Sequence, residues 1–220
     1  MDVKRENMNN AWQTKPTDRF VLKWIKINLS SRVTPRLLAW EWLHPWMITL
    51  TSSILGILAG VVFALGLGWF AGCLAAFSQV MDGVDGQFAR ITGRQSKEGA
   101  LLDSVLDRYA DGAMMIGLSI YLVRLPFPLP IWLIVAMGSL AVIGSSLISY
   151  STARAASLGI EMGKPTLVSK GTRSSVMIIS AWGSLLWSGL PIIALIYLAL
   201  HPNAVVLCRL VRSHRNLTIV

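Results

Sequence analysis

The sequence predicts an all-α, polytopic membrane protein: six transmembrane helices preceded by an N-terminal amphipathic helix on the membrane surface. Three observations lead there. Hydrophobic residues make up 54% of the 220 residues and charged residues only 14%, with a mean hydropathy of +0.57. That is more apolar than soluble domains usually are. Six apolar segments of similar length follow one another after residue 43, separated by short breaks. Finally, the twenty Lys and Arg residues fall almost entirely on one side of a six-span threading.

The first sixteen residues are polar and carry no apolar signal core. From Thr17 to Trp40, Phe20, Val21, Trp24, Ile25 and Leu29 recur at helical spacing, with Arg19, Lys23 and Lys26 between them. This pattern predicts a basic amphipathic helix on an anionic membrane surface, the competing expectation being a helix packed on its own protein. The six spans are expected at about His44–Leu67, Trp69–Ala89, Glu98–Val123, Leu129–Ala155, Thr172–Gly189 and Pro191–Val211. Each is near the length that crosses a hydrocarbon core of ~30 Å at ~1.5 Å per residue. His201-Pro202-Asn203 interrupts the sixth, and a proline is tolerated inside a membrane helix as a kink. Residues 1–43 are therefore read as a cytoplasmic segment, 44–212 as the membrane domain and 213–220 as a cytoplasmic tail.

With the N-terminus inside, nineteen of the twenty basic residues fall on the cytoplasmic side and only Arg124 on the other. This bias predicts that both termini are cytoplasmic. Trp42, Trp46, Trp69, Trp132 and Trp187 fall near span ends, as interfacial aromatics do. In such a protein the formal charge of +9 belongs to loops facing the cytoplasm, not to a nucleic-acid surface. Cys73 and Cys208 lie in apolar runs and form neither a disulfide framework nor a zinc site. His44 and His201 read as interface or kink residues, and His214 carries no signal. In a bacterium the location would be the inner or plasma membrane.

One charged stretch sits where the apolar pattern leaves least room for it. Asp82 and Asp85 end the second span, and Asp103 and Asp107 begin the third. Spacings of three and four put each pair on one helix face. The polar link from Ile91 to Glu98 is short enough for the pairs to converge. Four carboxylates cannot stay ionised together in a low dielectric without cations, so the arrangement predicts a divalent-metal site at the cytoplasmic membrane edge. Oxygen-only donors favour Mg²⁺ or Mn²⁺, which commonly serve phosphate-bearing substrates. Gly83 and Gly86 are costly in a helix and make sense where a ligand approaches the backbone. Arg90 is placed to hold a phosphate. The bland alternative is an ion or proton pathway, or carboxylates neutralised by arginines. Asp111 extends the Asp103–Asp107 stripe one turn further, in a supporting role or paired with Arg108 or another helix.

The series Asp82-x2-Asp85-Gly86-x2-Ala89-Arg90-x8-Gly99-x3-Asp103-x3-Asp107 resembles the signature of the CDP-alcohol phosphotransferase family. The resemblance extends over roughly residues 44 to 212. It implies a phospholipid-synthesis transferase that moves a substituted phosphate group from a CDP-linked lipid or alcohol to an acceptor hydroxyl and releases CMP. It also implies that Asp82, Asp85, Asp103 and Asp107 hold two Mg²⁺ or Mn²⁺ ions, with Asp107 also the general base. Thr49, Gly86, Ala89, Arg90, Ser96 and Gly99 would form the nucleotide site. The family's Pro-Asn-x-x-Thr at the first span reads Pro45-Trp46-Met47-Ile48-Thr49 here, so Trp46 stands where an Asn would contact the nucleotide, either in its place or as a residue of the aromatic belt. Ser-Tyr-Ser-Thr-Ala-Arg-Ala, ending near Arg154, and Lys170-Gly-Thr-Arg173 resemble the branch that accepts a phosphorylated inositol. The resemblance would make Arg154, Lys170 and Arg173 the acceptor-binding residues, where the positive-inside pattern alone would make them anchors. It also implies a homodimer in contact with membrane lipids. An intramembrane prenyltransferase also uses paired aspartates, but its Asp-rich pattern differs.

Overall fold

The computed structural model of the chain describes residues 24–126, 129–160 and 169–217. Within them all regular structure is helical. A π-helical turn, Lys26–Ser30, runs into α1, Ser31–Leu37. Six longer helices follow: α2 (Pro45–Ala64), α3 (Gly68–Thr92), α4 (Lys97–Arg124), α5 (Ile131–Ser157), α6 (Lys170–Gly183) and α7 (Pro191–Leu217). Each coincides with one of the six apolar segments. The fifth stops six residues before its expected end, at Gly183, and turns through Ser184 to Leu190 into α7.

Three of these helices, α2, α5 and α7, are long and apolar enough to cross a membrane by length and composition alone. The other three fall short for visible reasons. α3 and α4 carry the charged motif, which lowers their hydropathy. α6, with 14 residues, spans only ~21 Å at the helical rise. α7 passes through Pro202 as one helix. Asn203 beside it donates through Nδ2 to the carbonyls of Ala199 at 2.7 Å and of Leu140, on α5, at 2.8 Å. The proline's position therefore also ties α7 to its neighbour. The tryptophans expected at span ends, Trp42, Trp46, Trp69, Trp132 and Trp187, are all exposed, as is Leu186 beside the last of them.

Helix ends follow from local chemistry. Pro45 opens α2 at a position where the missing N–H costs nothing. Gly93 ends α3 at φ +68°, a conformation a side chain would strain. Ser96 caps α4, its hydroxyl accepting from the Gly99 N–H at 2.9 Å. Only residues 93–96 therefore separate the two motif helices. At the far end of α2, Arg124 donates to the Ala64 carbonyl at 2.7 Å, meeting an acceptor the helix leaves open.

Packing is centred on α2, which lies against both α3 and α4. Small residues set the distance. A Cβ on Gly117 of α4 would lie 2.0 Å from the Gly60 carbonyl oxygen of α2, and one on Gly60 would lie 2.3 Å from the Ala113 carbonyl oxygen. The two backbones touch. Hydroxyls complete the seam, as is common where membrane helices approach closely. Ser52 and Ser78 each donate to the other's carbonyl, at 2.9 and 2.8 Å, and Ser53 donates to the Leu106 carbonyl at 3.2 Å. Phe63, Met115, Leu118, Leu122, Ile178, Leu195 and Leu198 fill the core that α2, α4, α6 and α7 share.

The N-terminal amphipathic stretch is seated on the protein itself from Trp24 onward. Ile25, Leu29, Val33 and Leu37 pack on Val80, Val84 and Phe88 of α3. Ser30 donates to the Val80 carbonyl at 2.8 Å and Thr34 to Gln87 Oε1 at 2.7 Å, both fully buried. Those hydroxyls belong to the apolar face and read in the sequence as polar positions. Trp24 and Ile27 remain exposed. Phe20 and Val21, which begin the predicted stripe, lie outside the described residues.

The backbone contact predicts a contrast. Gly60→Val should destabilise the protein by ~3 kcal/mol or more, because the added atoms meet backbone that cannot rotate away. Gly112→Ala, where a Cβ meets nothing within 4 Å, should be neutral or stabilising by up to ~1 kcal/mol. Thermal unfolding in detergent compares the two, and equal midpoints would mean that the seam relaxes freely.

Candidate active site

The buried face of α3 is a stripe of small residues, Ala71, Ala75 and Ser78, that continues into Asp82 and Asp85. The inner face of α4 runs the other way: Asp103, Asp107, Asp111, Met114, Leu118. Burial increases along it, from the partly exposed Asp103 and Asp107 to the buried Asp111 and the core. Helical spacing thus puts the charges on inward faces, and the short link after Gly93 turns those faces together.

Carboxylate oxygens of Asp82, Asp103 and Asp107 lie within 4.8 Å of one another. Asp85 sits one turn along α3, and its Oδ2 accepts from the Thr49 hydroxyl at 2.8 Å. Thr49, expected at the nucleotide, therefore also fixes a carboxylate. A cation already reaches into the cluster. Lys170, the first residue of α6, donates through Nζ to Asp82 Oδ1 at 2.8 Å and to Asp107 Oδ1 at 2.7 Å. The donor set, carboxylate oxygen only and convergent around a positive charge, fits a hard divalent cation in chemistry and spacing. Asp82, Asp103 and Asp107 are the residues that could share one such ion, with Asp85 beside them.

One turn deeper lies a second ion pair. Arg173 Nη2 is 3.3 Å from Asp111 Oδ2, and both side chains are buried, at 1% and 7% exposure. Asp111 thus pairs with another helix and not with Arg108. Arg173, expected on the acceptor side, has its guanidinium turned into the bundle. Arg154 is exposed in the last turn of α5.

Beside the carboxylates opens a cleft of about 950 Å³. Thr49, Gly86, Ala89, Arg90, Ser96 and Gly99 all line it, with Asp85 and Asp103 at its edge. These are the six residues expected at a nucleotide, drawn from α2, α3 and α4. Gly86 leaves room beneath Arg90: a Cβ there would lie 3.5 Å from its guanidinium. Trp46, at the position where an Asn was expected, is half exposed and lines the same cleft with His44 and Pro45. Arg94 reaches across to the Leu43 carbonyl at 3.0 Å and ties the α3–α4 link to the start of α2.

Sequence reasoning missed the bonds made across long separations. Lys170 looked like an anchor or an acceptor ligand, and its contact with Asp82 spans 88 residues. The signal available was the surplus of carboxylates over nearby cations in the motif itself, which calls for a distant positive charge.

The pattern of the CDP-alcohol phosphatidyltransferase family matches residues 42–210. A bifunctional IPC transferase and DIPP synthase of Thermococcus kodakarensis is 37% identical over 137 residues, 62% of this chain and 30% of that protein. The chain thus spans under a third of that relative. An archaetidylinositol phosphate synthase of Pyrococcus horikoshii is 29% identical over 153 residues, 69% of this chain and 76% of that one. Among solved structures, the phosphatidylinositol phosphate synthase of Mycobacterium tuberculosis with CDP-DAG bound superposes with a TM-score of 0.72 at 24% identity. It covers 83% of this chain and 92% of that one, and the likeness is one of fold. The same protein has been solved with manganese and citrate.

The buried pair generates a prediction of its own. Asp111→Asn removes the charge 3.3 Å from the buried Arg173 guanidinium and should cost about 3–5 kcal/mol, whereas Asp111→Asn with Arg173→Met should recover much of that. A double-mutant cycle on unfolding midpoints measures the coupling, and purely additive losses would show that the two side chains do not depend on each other.

Proposed function

Because the chain belongs to the CDP-alcohol phosphatidyltransferase family, we propose that it transfers a phosphatidyl-type group from a CDP-linked lipid, such as CDP-diacylglycerol, to a hydroxyl of a phosphorylated inositol, releasing CMP. The observation that carries this reading is the adjacency of two sites. A cleft lined by Thr49, Gly86, Ala89, Arg90, Ser96 and Gly99 opens directly onto Asp85 and Asp103 of the carboxylate cluster. The relatives that make inositol phosphate lipids supply the acceptor class.

The residues divide the work by position. Arg90 and the backbone bared by Gly86 hold the cytidine diphosphate, and Ser96 and Gly99 close the cleft from the start of α4. Asp82, Asp85, Asp103 and Asp107 hold divalent ions, Mg²⁺ or Mn²⁺. When bound, these supply the positive charge that steadies the transferring phosphoryl and the departing CMP. Asp107 takes the proton of the acceptor hydroxyl as its oxygen bonds to the β-phosphorus. The bond from that phosphorus to the CMP oxygen breaks, and CMP leaves with the electron pair. A base can do this only within hydrogen-bond reach of the hydroxyl, which places the acceptor against α4. Arg154 and Lys170 are the cations on that side, and Arg173, through Asp111, fixes the helix that presents Lys170.

The same reading sets the protein in its membrane. Six helices, α2 to α7, cross it, with the exposed apolar side chains of α3 and α4, among them Phe70, Phe77, Ile116 and Ile120, facing lipid. Residues 1–43 and 213–220 flank this domain in the cytoplasm, where the cleft opens. The lipid tail of the donor stays in the bilayer while the polar acceptor arrives from water, and two copies associate in the membrane.

Purified protein in detergent with radiolabelled CDP-diacylglycerol should release CMP only with Mg²⁺ or Mn²⁺ and an added alcohol, fastest with inositol phosphate. Release from no alcohol in a panel would end the transferase assignment, and a preference for glycerol phosphate or serine would move the acceptor. Asp107→Asn should keep its unfolding midpoint within a few degrees and lose at least ~100-fold in turnover, in line with removal of a general base. Wild-type turnover in that variant would remove Asp107 from the role.

A further inference from the structure

Lys170 sits where the proposed metal ions belong, and its surroundings show how it can leave. Its ammonium bonds to Asp82 Oδ1 and Asp107 Oδ1, two of the three carboxylates whose oxygens converge. An ion bound at ~2.1 Å to the same two oxygens would lie within about 5 Å of Nζ. Both are cations, and both draw on the same two lone-pair sets. They cannot hold those oxygens together without strong repulsion at so short a separation.

The backbone beneath Lys170 is fixed. The Ser169 and Thr172 hydroxyls lie 3.2 Å apart across it, Ser175 donates to the Gly171 carbonyl, and Arg173 is anchored on Asp111 in the interior. The side chain itself is not enclosed: 22% of it is exposed. A four-carbon stem on an anchored helix start can swing its ammonium out of the cluster without moving the helix.

From this geometry we propose that Lys170 is a tethered counter-cation. It holds Asp82 and Asp107 together while no metal is bound, and a divalent ion must displace it to occupy the site. This rests on the reading of the carboxylates as a metal site. The role differs from that of an acceptor ligand, though it prepares one: displacement by the metal turns the ammonium outward, free for an anion. Metal loading would then precede and promote capture of a phosphorylated acceptor. A residue that merely braced the carboxylates for the metal would act in the opposite sense, because its removal would weaken metal binding.

Mn²⁺ binding to the lipid-free protein in detergent, followed by electron paramagnetic resonance, separates these roles. Lys170→Met should bind Mn²⁺ at least tenfold more tightly than wild type and should unfold at lower temperature without metal, a deficit that Mn²⁺ repairs. Binding that is unchanged or weaker in Lys170→Met would overturn the proposal. Should the variant not fold, wild-type protein decides alone. An amine-reactive label read by mass spectrometry should modify Lys170 several-fold faster with Mn²⁺ than with a chelator. Equal or slower labelling would overturn the proposal while leaving the metal site in place. Failure of wild type to bind Mn²⁺ or Mg²⁺ at all would instead remove the metal reading, and this inference with it.

Discussion

The structure turns on the convergence of like charges in a place that disfavours any charge. Asp82, Asp103 and Asp107 approach within 4.8 Å of one another at the end of an apolar bundle. Left to themselves they would repel, and folding would have to overcome that repulsion and their desolvation together. The neighbourhood is built to offset it. Lys170 bridges two of them, the Thr49 hydroxyl serves Asp85, and Asp111 beyond is matched by Arg173. The compensating groups come from α2 and α6 and the carboxylates from α3 and α4, so the cluster can exist only once all four helices are in place. The site is therefore part of what makes the bundle cooperative.

Much of this was legible in the sequence, and the reason is geometric. Helix bounds and the facing of Asp82 with Asp85, and of Asp103 with Asp107, depend on spacings of three and four, which any α-helix converts into a shared face. The residues expected at a nucleotide are equally local, since most belong to two helices joined by a link from Gly93 to Ser96. What stayed hidden was contact across long separations. Nothing near Lys170 announces that it belongs to Asp82, and nothing near Arg173 announces that it lies inside the bundle. The N-terminal stripe was legible as amphipathic, but its pattern cannot say what covers it. Thr34 and Gln87 decide that by bonding to each other, which seats the stripe on α3.

Polar side chains inside the apolar bundle share a division of labour. Ser52, Ser53 and Ser78 satisfy backbone carbonyls across helix seams. Asn203 does so beside Pro202, where α7 has lost a donor. Near the carboxylates, by contrast, side chains bond to side chains, as Thr49 does to Asp85 and Lys170 to Asp107. Bonds to the backbone fix helices in register and have no alternative partner. Bonds between side chains, such as those of Lys170, can be exchanged for a ligand without disturbing a helix.

The touching backbones of Gly60 and Gly117 have a mechanical consequence. Packed helices ordinarily slide by rotating the side chains between them, in small shear steps. Where carbonyl meets carbon with no side chain between, nothing can rotate, and the pair behaves as one strut. α3 is stitched to the same strut through Ser52 and Ser78. The wall that carries the cleft therefore has few ways to flex, and compliance is left to what leans on it: a single long side chain at the start of α6 and the outer pair α5 and α7. On the proposed function, a wall of this kind would not close around the donor. It would hold still while a lipid reached it from the side.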